Sequence, residues 1–212
     1  MEFELQEDQR ILRDMARDFA AKEIAPRAKR HDKEERIDPD LFGMIGEMGF
    51  WGLSIPEEYG GFDAGNLGLA IVLEELNHAC ASTGVTVSVH ASLVSTPVVK
   101  FGTEDQKAYW LPKLASGEII GAYALTEAGA GSDAAALSST AEKVGDEWVL
   151  NGTKLFVTTG EQAGLGLGYF PTDPERPQAP GPSAFLSDPH TPGSPVRTEA
   201  HKPGLRGSPP PP

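Results

Sequence analysis

Up to about residue 117 the apolar residues recur three and four apart; beyond it they alternate. This change of period constrains the fold more than any other feature of the chain. Ile11, Leu12, Met15, Phe19 and Ile24 make one apolar stripe of a first helix, which Pro26 is expected to end. Asp38-Pro39 places an N-cap before a proline at the first helical position, and Leu41, Phe42, Ile45 and Met48 then supply the buried face of a second helix. Residues 50–65, rich in Gly, Pro and Tyr, read as a loop. Residues 67–81 and 82–101 read as two central helices, apolar on several sides, with Gly84 a local weakness. Thr103-Glu-Asp-Gln106 is a capping box that opens a helix kinked at Pro112 and ended by Gly117.

The second half reads as strands at 119–125, 137–144, 147–150 and 153–157, with Gly145-Asp146 and Asn151-Gly152 as tight turns between them. Helices followed by antiparallel strands, without βαβ alternation, imply an α+β chain with segregated domains. The expected division is an N-terminal all-α helical domain over 1–117, an incomplete antiparallel β-domain over 118–168, and a proline-rich irregular tail over 169–212. Five prolines precede Phe170 and the remaining 13 of 18 lie between Pro171 and Pro212, a density that removes ladder donors and forbids regular central strands. Taken by itself, that tail is expected to be disordered or extended.

Charge and cysteine usage exclude several functions. A formal charge of −13, with the basic cluster at 22–36 interleaved with Glu and Asp, argues against nucleic-acid binding. The single Cys80 rules out an internal disulfide framework and reads as a small buried residue. His78 and His90 lie in apolar helices without partners at metal-ligand spacing, so both are expected as core or cavity-edge histidines, and no metal site is expected. No export or transit leader is visible, and the apolar stretch at 67–99 is interrupted by Glu74, Glu75 and His78. The expectation is a soluble cytoplasmic protein without a membrane span.

The chemistry concentrates in Tyr123-Ala-Leu-Thr-Glu-Ala-Gly-Ala-Gly-Ser-Asp133 and Leu155-Phe-Val-Thr-Thr-Gly160. Gly129 and Gly131 let a ligand approach the backbone, Thr126 and Ser132 offer hydroxyls, and Phe156 offers a flat apolar surface. That set suits a planar, polar-edged ring joined to a diphosphate. It equally suits an ordinary hairpin loop, with strand threonines and a core phenylalanine. A Rossmann site is excluded, because no helix follows the glycines.

Thr126-Glu-Ala-Gly-Ala-Gly-Ser-Asp133 resembles the flavin signature of the acyl-CoA dehydrogenases, and Asn151-Gly-Thr-Lys-Leu-Phe-Val-Thr-Thr159 resembles its second half. Trp110-Leu-Pro-Lys-Leu-Ala-Ser-Gly-Glu118 and Ile55-Pro-Glu-Glu-Tyr-Gly-Gly61 match the same family in the same order, and the resemblance runs from about Phe3 to Gly160. In the tail, Gly181-Pro-Ser-Ala-Phe-Leu186, Thr191-Pro-Gly193 and Lys202-Pro-Gly-Leu-Arg-Gly-Ser208 still resemble the family's next segments.

The resemblance implies FAD as cofactor and a fatty acyl-CoA thioester as substrate, desaturated to the trans-2-enoyl-CoA. It implies that Thr126 and Thr158, with the amides of Tyr123, Ala124, Leu125 and Thr126, bond the ring's polar edge. Phe156 then covers one face beside Val157, while Gly129, Ala130, Gly131 and Ser132 approach cofactor and thioester, Ser132 touching both. Glu127 and Asp133 receive structural roles. It also implies an electron-transfer flavoprotein as acceptor, a homo-oligomer, and a slight lean to short-chain substrates. The family's C-terminal helical domain, which carries the catalytic glutamate, has no counterpart in this sequence. The chain is therefore expected to be a truncated and inactive member. A flavin oxidase or monooxygenase on the same fold, or a non-enzymatic remnant acting as an interaction module, are the alternatives.

Overall fold

The computed structural model describes residues 4–173, 181–194 and 202–207, and these fall into two units. One holds residues 4–120 and 202–207; the other holds 121–173 and 181–194. The start of the resemblance at Phe3, the end of its last segment at Ser208, and the expected irregularity over 174–180, 195–201 and 208–212 lie outside the described residues.

The first unit is helical: α1 Glu7–Phe19, α2 Ala25–Glu34, α3 Pro39–Glu47, α4 Gly65–Ala79, α5 Ala81–Ser88, α6 Thr96–Phe101 and α7 Glu104–Ser116. Pro26 does not end the first helix. A π-helical segment, Ala20–Ile24, joins α1 to α2 and leaves Pro26 in the first turn of α2, where a missing N–H costs little. A second π segment, Val89–Ser95, joins α5 to α6, so the single helix expected over 82–101 is three pieces. Residues 50–64 form a loop with two short 3₁₀ turns. The Thr103–Gln106 capping box forms as expected, with Gln106 N–H on Thr103 Oγ1 at 3.2 Å and Thr103 N–H on Gln106 Oε1 at 2.9 Å.

The core centres on Trp51, which is fully buried, stacks on Phe42 and donates from Nε1 to the Phe42 carbonyl at 2.9 Å. Gly117 ends α7 at φ +76, and a Cβ there would lie 2.3 Å from Trp51 Cδ1. Both the left-handed backbone and the indole therefore require glycine. His90 packs 5.0 Å from the Trp51 ring, fully buried, its Nε2 donating to the Leu114 carbonyl at 3.1 Å. His78, expected like His90 as a core or cavity-edge residue, is exposed and lines a cavity with Arg17, Ala20 and Glu75.

Burial pushes the His90 imidazole down to about 4, against hydrogen bonds that raise it. The unfolded chain then takes up a proton below pH 6.5 that the folded chain refuses until about pH 4. Stability of the helical unit should fall by about 3 kcal/mol as pH drops through that window. His90→Gln, which retains a donor toward Leu114, should flatten that part of a stability–pH curve. An unchanged slope in the variant would contradict the assignment.

The second unit carries β1 Ile120–Ala124, whose first residue lies at the boundary, then β2 Thr140–Val144, β3 Glu147–Asn151, β4 Ala163–Phe170 and β5 Ser183–Ser187. β2 and β3 form an antiparallel hairpin, Val144 opposite Glu147, turned by Gly145 at φ +64 as the sequence suggested. A three-stranded sheet has the order β1-β4-β5, with β4 antiparallel to β5 and Leu167 opposite Leu186.

Two expectations fail here. Residues 153–157 are not a strand, because Phe156 adopts φ +57 and breaks the extended backbone. Conversely, β4 and β5 were unexpected, and β5 lies within the proline-rich tail. Its five residues contain no proline, and its position at the end of the strand order asks for ladder bonds on one side only. No helix among the described residues is long and apolar enough to cross a membrane.

Candidate flavin site

Glu127 and Ala130 exchange backbone hydrogen bonds at 3.0 and 3.1 Å, closing a tight loop just after β1. The Leu155 N–H donates to the Thr126 carbonyl at 2.8 Å, so the two segments singled out in the sequence adjoin. Gly131 and Ser132 lie exposed beyond the loop, and Asp133 accepts from the Ala135 N–H at 3.2 Å as the cap of a 3₁₀ turn. Tyr123 packs its ring 5.4 Å from Tyr169 of β4, and burial, with Tyr169 second, pushes its phenol pKa up.

Beneath the loop sits a buried ion pair. Lys154 Nζ donates to Glu127 Oε1 at 2.7 Å, with the two side chains 8% and 4% exposed. The same ammonium donates to Ser139 Oγ at 2.9 Å and to the Leu125 carbonyl at 3.2 Å, and it lies 4.7 Å over the Phe170 ring. Glu127 also accepts from the N–H and hydroxyl of both Ser138 and Ser139. Burial would raise the Glu127 pKa, but Lys154 and the two serines outweigh it and hold the carboxyl at about 2. Burial lowers the Lys154 pKa, offset in part by Glu127. Glu127 is thus a fixed carboxylate brace, too weak a base to take a proton near neutral pH.

The sequence reading missed Lys154, Ser138 and Ser139 as members of this network. The only signal was a lysine inside a strand-like apolar run.

What remains accessible suits a flat, polar-edged ring. Among the described residues the hydroxyls of Thr126, Ser132 and Thr158 make no hydrogen bond. Neither Gly129 nor Gly131 uses a positive φ, and a Cβ on either would meet nothing within 4 Å. Folding does not demand glycine there, whereas close approach to the backbone does. Phe156 is 70% exposed and held in the left-handed region, an aromatic presented outward at a conformational cost. Ala124, Leu125 and Val157 are half-buried around these groups. The donor set and the open backbone fit a flavin.

Two family models match the chain: "Acyl-CoA dehydrogenase, N-terminal domain" over residues 6–118 and "Acyl-CoA dehydrogenase, middle domain" over 122–210. The chain is 42% identical to a rat protein named "Short-chain specific acyl-CoA dehydrogenase, mitochondrial", over 97% of this chain and 50% of that one. It is similar in structure to butyryl-CoA dehydrogenase from Megasphaera elsdenii, with TM-score 0.92 and 32% identity over 99% of this chain and 55% of that one. A structure described as an electron transferring flavoprotein of Acidaminococcus fermentans matches at TM-score 0.94 and 40% identity, covering 99% of this chain and 55% of that one. A Mycobacterium smegmatis glutaryl-CoA dehydrogenase in complex with FADH2 matches at TM-score 0.87 and 29% identity, over 97% and 51%. The chain spans about half the length of the curated relatives it matches.

Proposed function

This chain belongs to the acyl-CoA dehydrogenase family, and from that premise we propose that its residues 123–132 and 156–158 hold FAD for α,β-dehydrogenation of an acyl-CoA thioester. The observation that carries the reading is the Leu155–Thr126 hydrogen bond, which sets two ligand-facing segments side by side with their hydroxyls unspent. When bound, FAD supplies the acceptor for the hydride that leaves the substrate's β-carbon.

Each residue then has a task. Thr126 and Thr158, with the amides of Tyr123 to Thr126, donate to the ring's polar edge, orienting it and favouring its reduced form. Phe156 covers one face by stacking, with Val157 beside it. Gly131 and Ser132 meet the ring, and Ser132 also meets the thioester. The two acids of the loop are both engaged, Glu127 by Lys154 and Asp133 by its cap. Neither of these two is free to take the α-proton, no other carboxylate of the chain is assigned that task, and this chain by itself should not turn over. A short-chain substrate, an electron-transfer flavoprotein as acceptor, a homo-oligomeric state and a cytoplasmic location complete the proposal.

Titrating FAD into the full chain, followed by flavin fluorescence, tests the reading. Replacing Thr126 and Thr158 together by valine should weaken binding by about tenfold or more, since two hydrogen bonds contribute roughly 2 kcal/mol. Short-chain acyl-CoA added to the loaded protein should leave the oxidised flavin band in place. Equal affinity in the double variant would contradict the site; bleaching by acyl-CoA would contradict the expectation that this chain alone does not turn over.

A further inference from the structure

Lys154 does more than neutralise Glu127. Its ammonium has three protons, and they meet three acceptors: Glu127 Oε1, Ser139 Oγ and the carbonyl of Leu125. With its remaining face against the Phe170 ring and its side chain 8% exposed, the charge is fixed in place and poorly screened by solvent. The Leu125 carbonyl and the Thr126 N–H belong to one planar peptide unit and, in the trans form, point in opposite directions. A cation on that oxygen draws electron density through the amide and makes the N–H on the far side a stronger donor. Among the described residues that N–H meets no acceptor. The next carbonyl, of Thr126, is held by Leu155 N–H, so the peptide plane is fixed from both sides.

Resting on the flavin-holding reading above, we propose that Lys154 is a positioning residue that polarises the Leu125–Thr126 peptide and thereby favours reduced over oxidised flavin. Two-electron reduction places more negative charge on the ring's polar edge. A strengthened donor at that edge therefore stabilises the reduced form selectively. Lys154 itself needs no contact with the ring.

The experiment compares the dissociation constants of oxidised and reduced FAD for the full chain, anaerobically, and checks their ratio against the midpoint potential of the bound flavin. Lys154→Met should weaken reduced FAD at least tenfold more than oxidised FAD, a fall of about 30 mV for a two-electron couple. Lys154→Arg should restore most of the preference. Glu127→Gln, which leaves the bond to Leu125 in place, should lose stability but keep the ratio. Should Lys154→Met fold poorly, Lys154→Met combined with Glu127→Gln removes the unpaired carboxylate and should show the same loss of preference. Equal weakening of both redox forms would reduce Lys154 to a structural brace and overturn the inference alone. A wild-type chain that binds neither form would overturn the flavin reading and this inference together.

Discussion

Trp51→Ala is expected to lower the stability of the helical unit by about 3–5 kcal/mol, a large share of what a unit of this size commands. The indole is fully buried, stacks on Phe42 at 5.7 Å and lies 5.0 Å from His90. It also hydrogen-bonds the Phe42 carbonyl, so truncation leaves both a cavity and an unpaired acceptor. Collapse around the void is hindered from two sides. Gly117 already lies against the ring, and Gly46 lies so close to the Ser116 carbonyl that a Cβ there would sit 2.9 Å from it. Chemical denaturation followed by helical circular dichroism checks this. A midpoint close to wild type would mean that the site closes over freely, against the packing described.

Glu127→Gln should destabilise the β-unit by a similar amount, about 3–5 kcal/mol, because it leaves the Lys154 ammonium buried without its counter-charge. Converting both members to methionine should be far milder, since the desolvation cost disappears together with the attraction. With the two single methionine variants beside the double, the double-mutant cycle separates pairing from volume. The wild-type pair also has a pH signature. With a folded pKa near 2 against an ordinary 4.5, Glu127 contributes stability that is complete above pH 4.5 and lost as pH falls toward 2. That window opens near pH 4.5, at the lower end of the one set by His90. Additive single mutants, or no acid loss below pH 4.5, would show that the pair is energetically idle.

The parts of this fold legible in the sequence are those governed by neighbours along the chain. The Thr103–Gln106 capping box spans three residues, and Gly145-Asp146 turns two strands joined end to end. The candidate flavin segments were legible through resemblance, since spacing alone did not distinguish them from a hairpin loop. What escaped was decided at longer range. Lys154 reaches Glu127 across 27 positions, and no local pattern marks such a pair. β4 interleaves Gly164, Gly166 and Gly168 with Leu165, Leu167 and Tyr169, so its low intrinsic preference hid a strand that burial makes favourable. β5 was masked by the prolines around it, although a strand paired along one side needs few of its donors. Residues 153–157 erred the other way. They have strand composition, but Leu155 is engaged with Thr126 and Phe156 turns outward in a left-handed conformation.

The central claim, that this chain holds FAD between residues 123–132 and 156–158, is tested most directly by a visible absorption spectrum. The purified full chain is incubated with excess FAD, passed through gel filtration and scanned. A flavin band that travels with the protein peak, and is diminished in the Thr126→Val, Thr158→Val double variant, is the predicted result. A colourless protein peak with folded circular dichroism would contradict it.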